Sequence, residues 1–319
     1  MTDKSIWDQE IAVPASVISY LDTGLLSKLP PGTNATGITA SGASYWARTA
    51  KIEATDAEGN ESGFFVKVHQ GEHGKNMASS EFRAMSEIYK VIPEMVAEPI
   101  AWGEYAETED TYFFVVRFHD LGGDVPDVVD FPALVAEMHT RGVSPTGQFG
   151  FAHTTYGGNN PQFFPPSDTW EECFTKGMEH MFKLEEKTQG PDEELERLRE
   201  GLFEKIIPRL LRPLETDGRH LTPRLVHGDL WDGNASVDIN TGQPMIFDAT
   251  VFYAHNEYEH GPWRAPRHKM TKAYIDEYTK HFKISEPAED FDDRGALYLL
   301  RFDILSSSLY PGNLRFRNL

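Results

Sequence analysis

The chain has 319 residues, with 50 acidic against 30 basic side chains, which give it a formal net charge of −20 at pH 7. Such a chain repels phosphate backbones and anionic lipid, so we expect neither nucleic acid nor a membrane as a partner. The single cysteine, Cys173, excludes an internal disulfide, and no apolar run suggests a signal peptide or approaches the ~20 residues of a membrane span. These features predict a globular cytoplasmic protein, and the length favours two domains.

The first third of the chain has the pattern of β-strands. Apolar and polar residues alternate over 46–54, an acidic turn follows, and β-branched and aromatic residues resume over 63–69, which together predict a hairpin. Residues 79–90 predict a helix, because their apolar side chains recur at helical spacing. Residues 111–118 predict a further strand.

A segment rich in Gly and Pro, residues 121–127, is the first break in composition. We place a domain boundary there, with residues 1–120 as an N-terminal lobe and residues 121–319 as a C-terminal lobe.

Downstream of this boundary the pattern is helical. Apolar residues recur at helical spacing over 130–141 and 192–207, and Asp168 has the position of a capping residue before another helix. Two short β-like patches, 224–227 and 244–247, interrupt the helices. The residues that could take part in catalysis or bind a metal ion cluster around these two patches.

Residues 225–250 carry the strongest motif. There His227, Asp229 and Asn234 form an H-x-D-x-x-x-x-N pattern, and Asp248 follows at the end of an apolar strand. This arrangement is typical of protein-kinase-like phosphotransferases. In them one carboxylate accepts the proton of the attacking hydroxyl, an amide oxygen holds a metal ion, and a second carboxylate bridges metal ions to the nucleotide phosphates. Asp229, Asn234 and Asp248 fit these three roles in that order.

A kinase site also needs a lysine on a strand to hold phosphates and a carboxylate on the next helix to position that lysine. Lys67 and Glu81, fourteen residues apart, meet both requirements. The loop TGITASGASYW (36–46), which includes Gly42 and Ser44, has small residues that let backbone N–H groups approach an anion. No G-x-x-x-x-G-K-[ST] motif occurs, which disfavours a Walker-type NTPase.

Simpler explanations of these residues stay open at this point. A lone lysine on an alternating strand, or a glutamate on an amphipathic helix, is usually a solvated surface residue. His227 most simply braces its loop, and a metal-hydrolase site built on it would need further histidines at defined spacing, which His255 and His260 do not provide. Trp231 could pack in the core or stack against a substrate ring.

The segments LVHGDLWDGN and IFDATVFYAHNEYE resemble the signature of the fructosamine-3-kinase and ketosamine-3-kinase family. Other matching segments follow in the family's order, so that the resemblance covers about residues 35–260: FFVKVH, FFVVRF, AEMH, GQFGFAHTTYGGN and DTWEECF. The resemblance implies an α+β, two-lobed protein-kinase-like fold. Its small N-terminal lobe would hold an antiparallel β-sheet and one main helix and would bind nucleotide, and its larger, mainly helical C-terminal lobe would hold the catalytic and substrate sites.

The resemblance also implies an activity, namely ATP-dependent phosphorylation of the sugar 3-hydroxyl of ketosamines, free or on glycated protein, which leads to deglycation. The cofactors would be ATP and Mg²⁺, with Mn²⁺ as a substitute. Asp229 matches the family's base, Asn234 and Asp248 its metal ligands, and Lys67 with Glu81 its pair on the phosphates.

Further positions carry over from the family. Gly42 and Ser44 would lie beside the nucleotide, and Trp231, Glu257 and Glu259 on the substrate side. Ser44 stands at about the position of a cysteine through which some members form redox-sensitive dimers, so we expect no redox control through that loop. The sequence leaves the oligomeric state and the identity of the sugar adduct open.

The chain departs from the family pattern on the substrate side. Ala249, Thr250 and Ala254 replace the usual Pro, Ala and Gly, Asp232 stands where a small residue is common, and a polar segment follows Glu259. A related kinase with an aminoglycoside, choline or other hydroxyl acceptor is therefore the second hypothesis. A catalytically silent nucleotide-binding protein is disfavoured, because all five kinase positions hold usable side chains.

Overall fold

The computed structural model describes residues 13–42 and 44–312, which form an α+β fold, as predicted. The strands are β1 (Asn34–Ala40), β2 (Arg48–Thr55), β3 (Phe64–Gln70), β4 (Pro99–Glu104), β5 (Thr111–Arg117), β6 (Thr155–Gly157), β7 (Asn160–Gln162), β8 (Arg224–Val226), β9 (Ala235–Val237), β10 (Pro244–Ile246) and β11 (Phe252–Ala254). The helices are α1 (Thr23–Leu26), α2 (Gly71–Val91), α3 (Asp130–Arg141), α4 (Trp170–Gln189), α5 (Glu193–Gly201), α6 (Ile207–Leu211), α7 (Lys272–His281) and α8 (Phe291–Leu309).

The described chain divides into two compact units. The first unit ends at Leu121 and includes the short segment Asp238–Thr241, whereas the second comprises Gly122–Val237 and continues from Gly242. Among the described residues, no helix is both long and apolar enough to cross a membrane.

Within the described part of the first unit, five strands form an antiparallel sheet in the order β1-β2-β3-β5-β4. Alternation along β2 and β3 directs one set of side chains into the core: Ala50, Ile52, Phe64, Val66 and Val68. The predicted hairpin and third strand are confirmed as β2, β3 and β5. Strand β1 overlaps the loop predicted over 36–46, so that the connection between β1 and β2 begins only after Ala40. Strand β4 was not predicted, because its sequence PIAWGE contains Pro and Gly and buries none of its residues fully.

Helix α2 begins at Gly71, well before the predicted start at residue 79. A Cβ atom on Gly74 would lie 2.8 Å from the Cβ of His69, so only a glycine allows the first turns to pack this closely on the end of β3. Close packing through small residues leaves no apolar stripe, and the periodicity of the sequence therefore misses these turns.

The second unit packs α4 against α8 around an aromatic core. Helix α3 has the predicted bounds. Helix α4 is capped by Thr169, whose hydroxyl accepts the Glu172 N–H at 3.3 Å. The predicted capping role of Asp168 is wrong, because its carboxylate instead accepts a hydrogen bond from the Gln148 side chain at 2.9 Å.

A π-helical turn, Leu202–Ile206, interrupts the helix predicted over 192–207 and separates α5 from α6. A π turn adds a residue to the helical ladder and so rotates the face that follows it. Regular spacing predicts one buried stripe, namely Leu195, Leu198, Leu202 and Ile206. Leu202 is buried and Leu195 packs against the core, as expected, but Leu198 and Ile206 are 65% and 43% exposed. After the π turn the core is filled by Ile207, Leu210 and Leu211.

Candidate active site

Two short antiparallel strand pairs hold the loops that carry the predicted chemistry. Strand β8 pairs with β11, and β9 pairs with β10. The 227–234 loop runs from β8 to β9, and the 247–251 loop runs from β10 to β11. Because both loops connect the same two strand pairs, they lie side by side.

His227 braces the 227–234 loop from within. Its Nε2 lies 2.9 Å from the carbonyl oxygen of Phe247, and its Nδ1 lies 3.3 Å from the backbone nitrogen of Asp229. A carbonyl only accepts, so Nε2 carries the proton and Nδ1 accepts the Asp229 N–H. Burial lowers the pKa of His227, which keeps the ring neutral in this arrangement. The bracing role that the sequence suggested agrees with these contacts.

Asp229 and Asn234 are in direct contact. The Asn234 side-chain amide donates to the Asp229 carbonyl at 2.8 Å and to its carboxylate Oδ2 at 3.2 Å. Burial raises the pKa of Asp229 to about 7, and the nearby carboxylate of Asp248 adds to this shift, while the Arg301 guanidinium opposes it. A carboxylate with such a pKa is suited to accept a proton near neutral pH.

Asp248 occupies a strained position in the 247–251 loop. Its backbone φ is 61°, in the left-handed region that residues other than glycine rarely adopt, and the residue is exposed. The Phe247 N–H donates to the Asn234 carbonyl at 3.0 Å, and the Thr250 N–H donates to the His227 carbonyl at 2.8 Å. These bonds join the two loops and bring Asp229, Asn234 and Asp248 into one site.

The donor atoms of this site suit a hard cation. Within the described chain, no group of three or more His, Cys, Asp and Glu residues could hold a metal ion. Asn234 and Asp248 supply one amide oxygen and one carboxylate, the type of ligand that Mg²⁺ prefers, and Mg²⁺ commonly takes its remaining ligands from phosphates and water. The residues present therefore fit a cation that binds together with a nucleotide, and they do not fit zinc.

Glu259, in the 3₁₀ turn Asn256–His260, anchors the start of the 227–234 loop. Its carboxylate accepts the His227 N–H at 2.5 Å and the Gly228 N–H at 3.0 Å, and it lies 3.4 Å from Nε2 of His139. The side chain is 0% exposed. This burial contradicts the predicted contact of Glu259 with substrate, and the carboxylate is instead a positioning group.

Glu257 is also buried, and its contacts lie within the fold. Its carboxylate accepts from Arg294 Nε at 2.9 Å and from Arg294 Nη2 at 3.2 Å, and it accepts the Ser285 N–H at 2.8 Å. The residue is 3% exposed. The predicted substrate contact of Glu257 is contradicted in the same way, because its oxygens already accept hydrogen bonds that link the 3₁₀ turn to Arg294 of α8 and to Ser285.

Trp231 lies over the backbone of its own loop. A Cβ atom on Gly233 would overlap the six-membered ring of the indole, so only glycine at that position lets the ring lie there. The tryptophan is half-buried, and its ring centroid is 5.1 Å from that of His268. Half-burial at the loop surface argues against the alternative that Trp231 is a core residue.

The first unit holds the predicted lysine pair. Lys67 of β3 and Glu81 of α2 form an ion pair of 2.6 Å, with side chains 14% and 16% exposed. This pairing agrees with the sequence-based prediction, and the low exposure of both side chains argues against the alternative that they are solvated surface residues. The loop between β1 and β2 belongs to the same unit. There Gly42 has a φ of +76°, and the Ser44 hydroxyl accepts the Trp46 N–H at 3.2 Å, while Ala43 lies outside the described residues.

Sequence reasoning missed two buried residues near the loops. His139, at the end of α3, bonds through Nδ1 with the Tyr278 hydroxyl at 2.7 Å and faces Glu259 with its other nitrogen. Arg301 of α8 donates to the Gln162 side chain and supplies positive charge near Asp229. His139 ends the family-like segment AEMH, to which no role was assigned, and Arg301 lies beyond the matched segments, so only the folded chain brings them to the site.

Comparison with known proteins identifies the family. A sequence profile of the fructosamine kinase family matches residues 44–315. The chloroplastic protein-ribulosamine 3-kinase of Oryza sativa subsp. japonica is 30% identical over 288 residues, which cover 89% of this chain and 77% of that protein. The chain belongs to the fructosamine kinase family. The ketosamine-3-kinase of Mus musculus is 40% identical over 113 residues, which cover 35% of this chain and 34% of that protein. The resemblance in the sequence is confirmed, and the protein is a phosphotransferase.

Solved structures confirm the protein-kinase-like fold of this family member. A Thermobifida fusca protein assigned to the fructosamine-3-kinases has a TM-score of 0.70 at 18% identity, over 90% of this chain and 91% of that one. A thermostable variant of the aminoglycoside phosphotransferase APH(4)-Ia, in complex with AMP-PNP and hygromycin B, has a TM-score of 0.56 at 15% identity, over 85% of each chain. At sequence identities this low, the similarity is evidence for a shared fold alone.

Proposed function

We propose that the protein transfers the γ-phosphoryl group of ATP to the sugar 3-hydroxyl of a ketosamine. The observation that carries this proposal is the contact between Asp229 and Asn234 in a loop tied to Asp248. It brings two carboxylates and one side-chain amide together in a chain that belongs to the fructosamine kinase family, which supports the proposal.

Asp229 acts as the base in this proposal. Asn234 donates to Oδ2 of the carboxylate, which leaves Oδ1 to accept a hydrogen bond from the acceptor hydroxyl. As the hydroxyl oxygen bonds to the γ-phosphorus, its proton passes to Asp229 and the bond between the γ-phosphorus and the ADP oxygen breaks. Most of the rate acceleration in such transfers comes from positioning and charge stabilisation.

The remaining predicted residues serve the nucleotide. Asn234 and Asp248 would hold Mg²⁺, or Mn²⁺ in its place, and the cation would neutralise charge on the phosphates. Lys67, oriented by Glu81, would hold the phosphates as a point charge, and Gly42 and Ser44 would border them. The first unit is thus proposed as the nucleotide-binding lobe and the second as the catalytic and substrate-binding lobe.

The names of the relatives support the choice of acceptor. Two relatives that cover 89% and 79% of this chain are named ribulosamine 3-kinases, and a shorter match is to a ketosamine-3-kinase. We propose a fructosamine or ribulosamine adduct, free or on glycated protein, whose phosphorylation leads to release of the amine. A cytoplasmic location stays a prediction.

The test is ATP turnover against a fructosamine, a ribulosamine, choline and an aminoglycoside. We expect phosphorylation of one or both ketosamines that requires Mg²⁺ or Mn²⁺ and is abolished by chelator, because the site offers only oxygen ligands. Turnover of choline or the aminoglycoside alone would favour the second hypothesis. Chelator-insensitive turnover would contradict the assigned roles of Asn234 and Asp248.

Gly233→Ala should impair use of the ketosamine acceptor more than binding of ATP. The new methyl group would overlap the Trp231 indole and displace it, and a shift of about 1 Å in a positioning group can cost roughly 10²-fold in rate. We expect kcat/KM for the ketosamine to fall by about that factor while KM for ATP stays near its original value.

The matched control for this prediction is Gly201→Ala. A Cβ atom at Gly201 meets no other atom within 4 Å, so this variant should behave as the wild type. Unchanged ketosamine kinetics in Gly233→Ala would show that the position of the indole does not matter for the acceptor.

A further inference from the structure

The segment that follows Glu259 packs directly on the 227–234 loop. The Trp263 indole N–H donates to the Leu230 carbonyl at 2.8 Å, and the Lys269 N–H donates to Asp232 Oδ1 at 3.0 Å. Trp263 is buried, so this packing is part of the fold. The segment therefore presents its residues 267–269 beside the part of the loop that carries Trp231.

Asp232 orients the imidazole of His268. Asp232 Oδ1 lies 3.0 Å from Nδ1 of His268, and the two side chains are 14% and 13% exposed. A carboxylate accepts a hydrogen bond from Nδ1–H and thereby favours the tautomer with the proton on Nδ1, so that Nε2 carries a lone pair. Burial lowers the pKa of His268, the charge of Arg267 lowers it further, and Asp232 opposes both effects. The ring is neutral near pH 7 as a result.

The imidazole of His268 packs beside the indole of Trp231. The centroids of the Trp231 and His268 rings are 5.1 Å apart, with the ring planes at 49°. Within the part of the chain that the structure describes, no group bonds to Nε2 of His268, although the residue is only partly buried. A hydrogen-bond acceptor is therefore available next to an apolar ring face, two positions along the loop from Asp229.

We propose that His268 is a specificity residue for the acceptor, whose Nε2 accepts a hydrogen bond from the amino N–H of the ketosamine, with Asp232 as its positioning residue. This inference rests on the proposed function. In a ketosamine the amino group is only a few bonds from the 3-hydroxyl, so a molecule with its hydroxyl at Asp229 and its sugar face on Trp231 directs its N–H group to the neighbouring ring. A charged ammonium donor makes this bond a charge-assisted one.

The chemical consequence is selectivity for nitrogen at C1 of the sugar. An acceptor with an ether oxygen at C1 has no proton to donate, and the lone pair of Nε2 would face the lone pairs of that oxygen. A site built around a hydrogen bond discriminates strongly against analogues that lack the partner. Neutral sugars and sugar ethers should therefore be poor acceptors, even if their rings fit against Trp231.

The test compares 1-deoxy-1-(propylamino)fructose with 1-O-propylfructose in the full-length enzyme and in His268→Phe, which keeps a ring but removes the lone pair. We expect kcat/KM for the amine to fall about 10–100-fold, the usual range for a lost hydrogen bond to a charged group. KM for ATP and kcat/KM for the ether should stay within about twofold. His281→Phe is the matched control, because His281 lies exposed on α7.

A second variant separates recognition from packing. His268→Gln retains an oxygen acceptor, so it should recover part of the selectivity for the amine even if both variants melt at a lower temperature. An equal loss with both acceptors in His268→Phe, or equal use of both acceptors by the wild type, would overturn the role of His268. If the wild type phosphorylates neither acceptor, the proposed function itself fails, and this inference fails with it.

Discussion

Asp229→Asn should lower kcat by about 10²–10⁴, the range for loss of a general base, and should leave KM for ATP nearly unchanged. The asparagine keeps the shape of the side chain and can still accept from Asn234, but it cannot take the proton of the attacking hydroxyl. The measurement is steady-state turnover with the ketosamine that the wild type uses best, together with ATP binding by titration.

Folding should survive this substitution. Burial raises the pKa of Asp229 in the folded state to about 7, so above its unfolded pKa the ionised carboxylate opposes folding rather than supporting it. Removal of the charge should leave the melting temperature at neutral pH unchanged or higher. A large drop in melting temperature would mean that lost activity reflects unfolding.

The pH profile gives an independent check of the same role. The base must be ionised, so wild-type kcat/KM should fall as the pH drops through the pKa of Asp229, and a bound cation would shift that limb below about 7. The residual activity of Asp229→Asn should lack this limb. Asp217→Asn, at a side chain 82% exposed, is the matched control for removal of one carboxylate. An unaltered limb in Asp229→Asn would assign it to another group.

Local spacing was enough to select the residues to which we assign the chemistry. The H-x-D-x-x-x-x-N motif, Asp248 and the Lys67–Glu81 pair could be read directly from the chain, since each role depends on a short loop or on a strand followed by a helix. The β2–β3 hairpin and α3 could be predicted for the same reason, because their apolar patterns are local.

Long-range contacts explain what the sequence did not show. Glutamates such as Glu257 and Glu259 are usually exposed, so the sequence suggested that they bind substrate. In the structure Glu257 is instead paired with Arg294, and Glu259 accepts the backbone N–H groups of His227 and Gly228. The early start of α2 depends on contact between Gly74 and β3. The π turn after α5 shifts the buried face by a local change in hydrogen bonding that no apolar pattern records.

Long-range contacts also set the geometry of the candidate site. The loop that carries Asp229 has its chemistry in its own sequence, yet its shape is set by a carboxylate from the turn that follows β11. Gly228 adopts a φ of +84° and would clash with Thr250 if it carried a Cβ atom, so the loop entry has little freedom. The position of Asp229, the proposed base, therefore depends on Glu259.

Glu259→Gln should lower kcat by about 10²-fold with a modest loss of stability. The amide that replaces one oxygen would face either the His227 N–H or the Gly228 N–H, which leaves a buried donor unpaired at a cost of about 1–3 kcal/mol. The loop would relieve this by moving, and a displacement of about 1 Å at Asp229 is enough for a loss of roughly 10²-fold in rate. Turnover and thermal melts of the same preparation measure both effects.

Glu257→Gln is the matched comparison, because it changes a buried glutamate two residues away in the same 3₁₀ turn. This variant weakens a buried ion pair with Arg294, and loss of such a pair costs about 3–5 kcal/mol, so its melting temperature should fall more than that of Glu259→Gln. Its kcat, measured well below the melting temperature, should stay near the wild-type value, since the hydrogen bonds of Glu257 go to Ser285 and Arg294 and not to the loop. If the two variants lose kcat in proportion to their stability, Glu259 serves the fold as a whole and has no separate part in positioning Asp229.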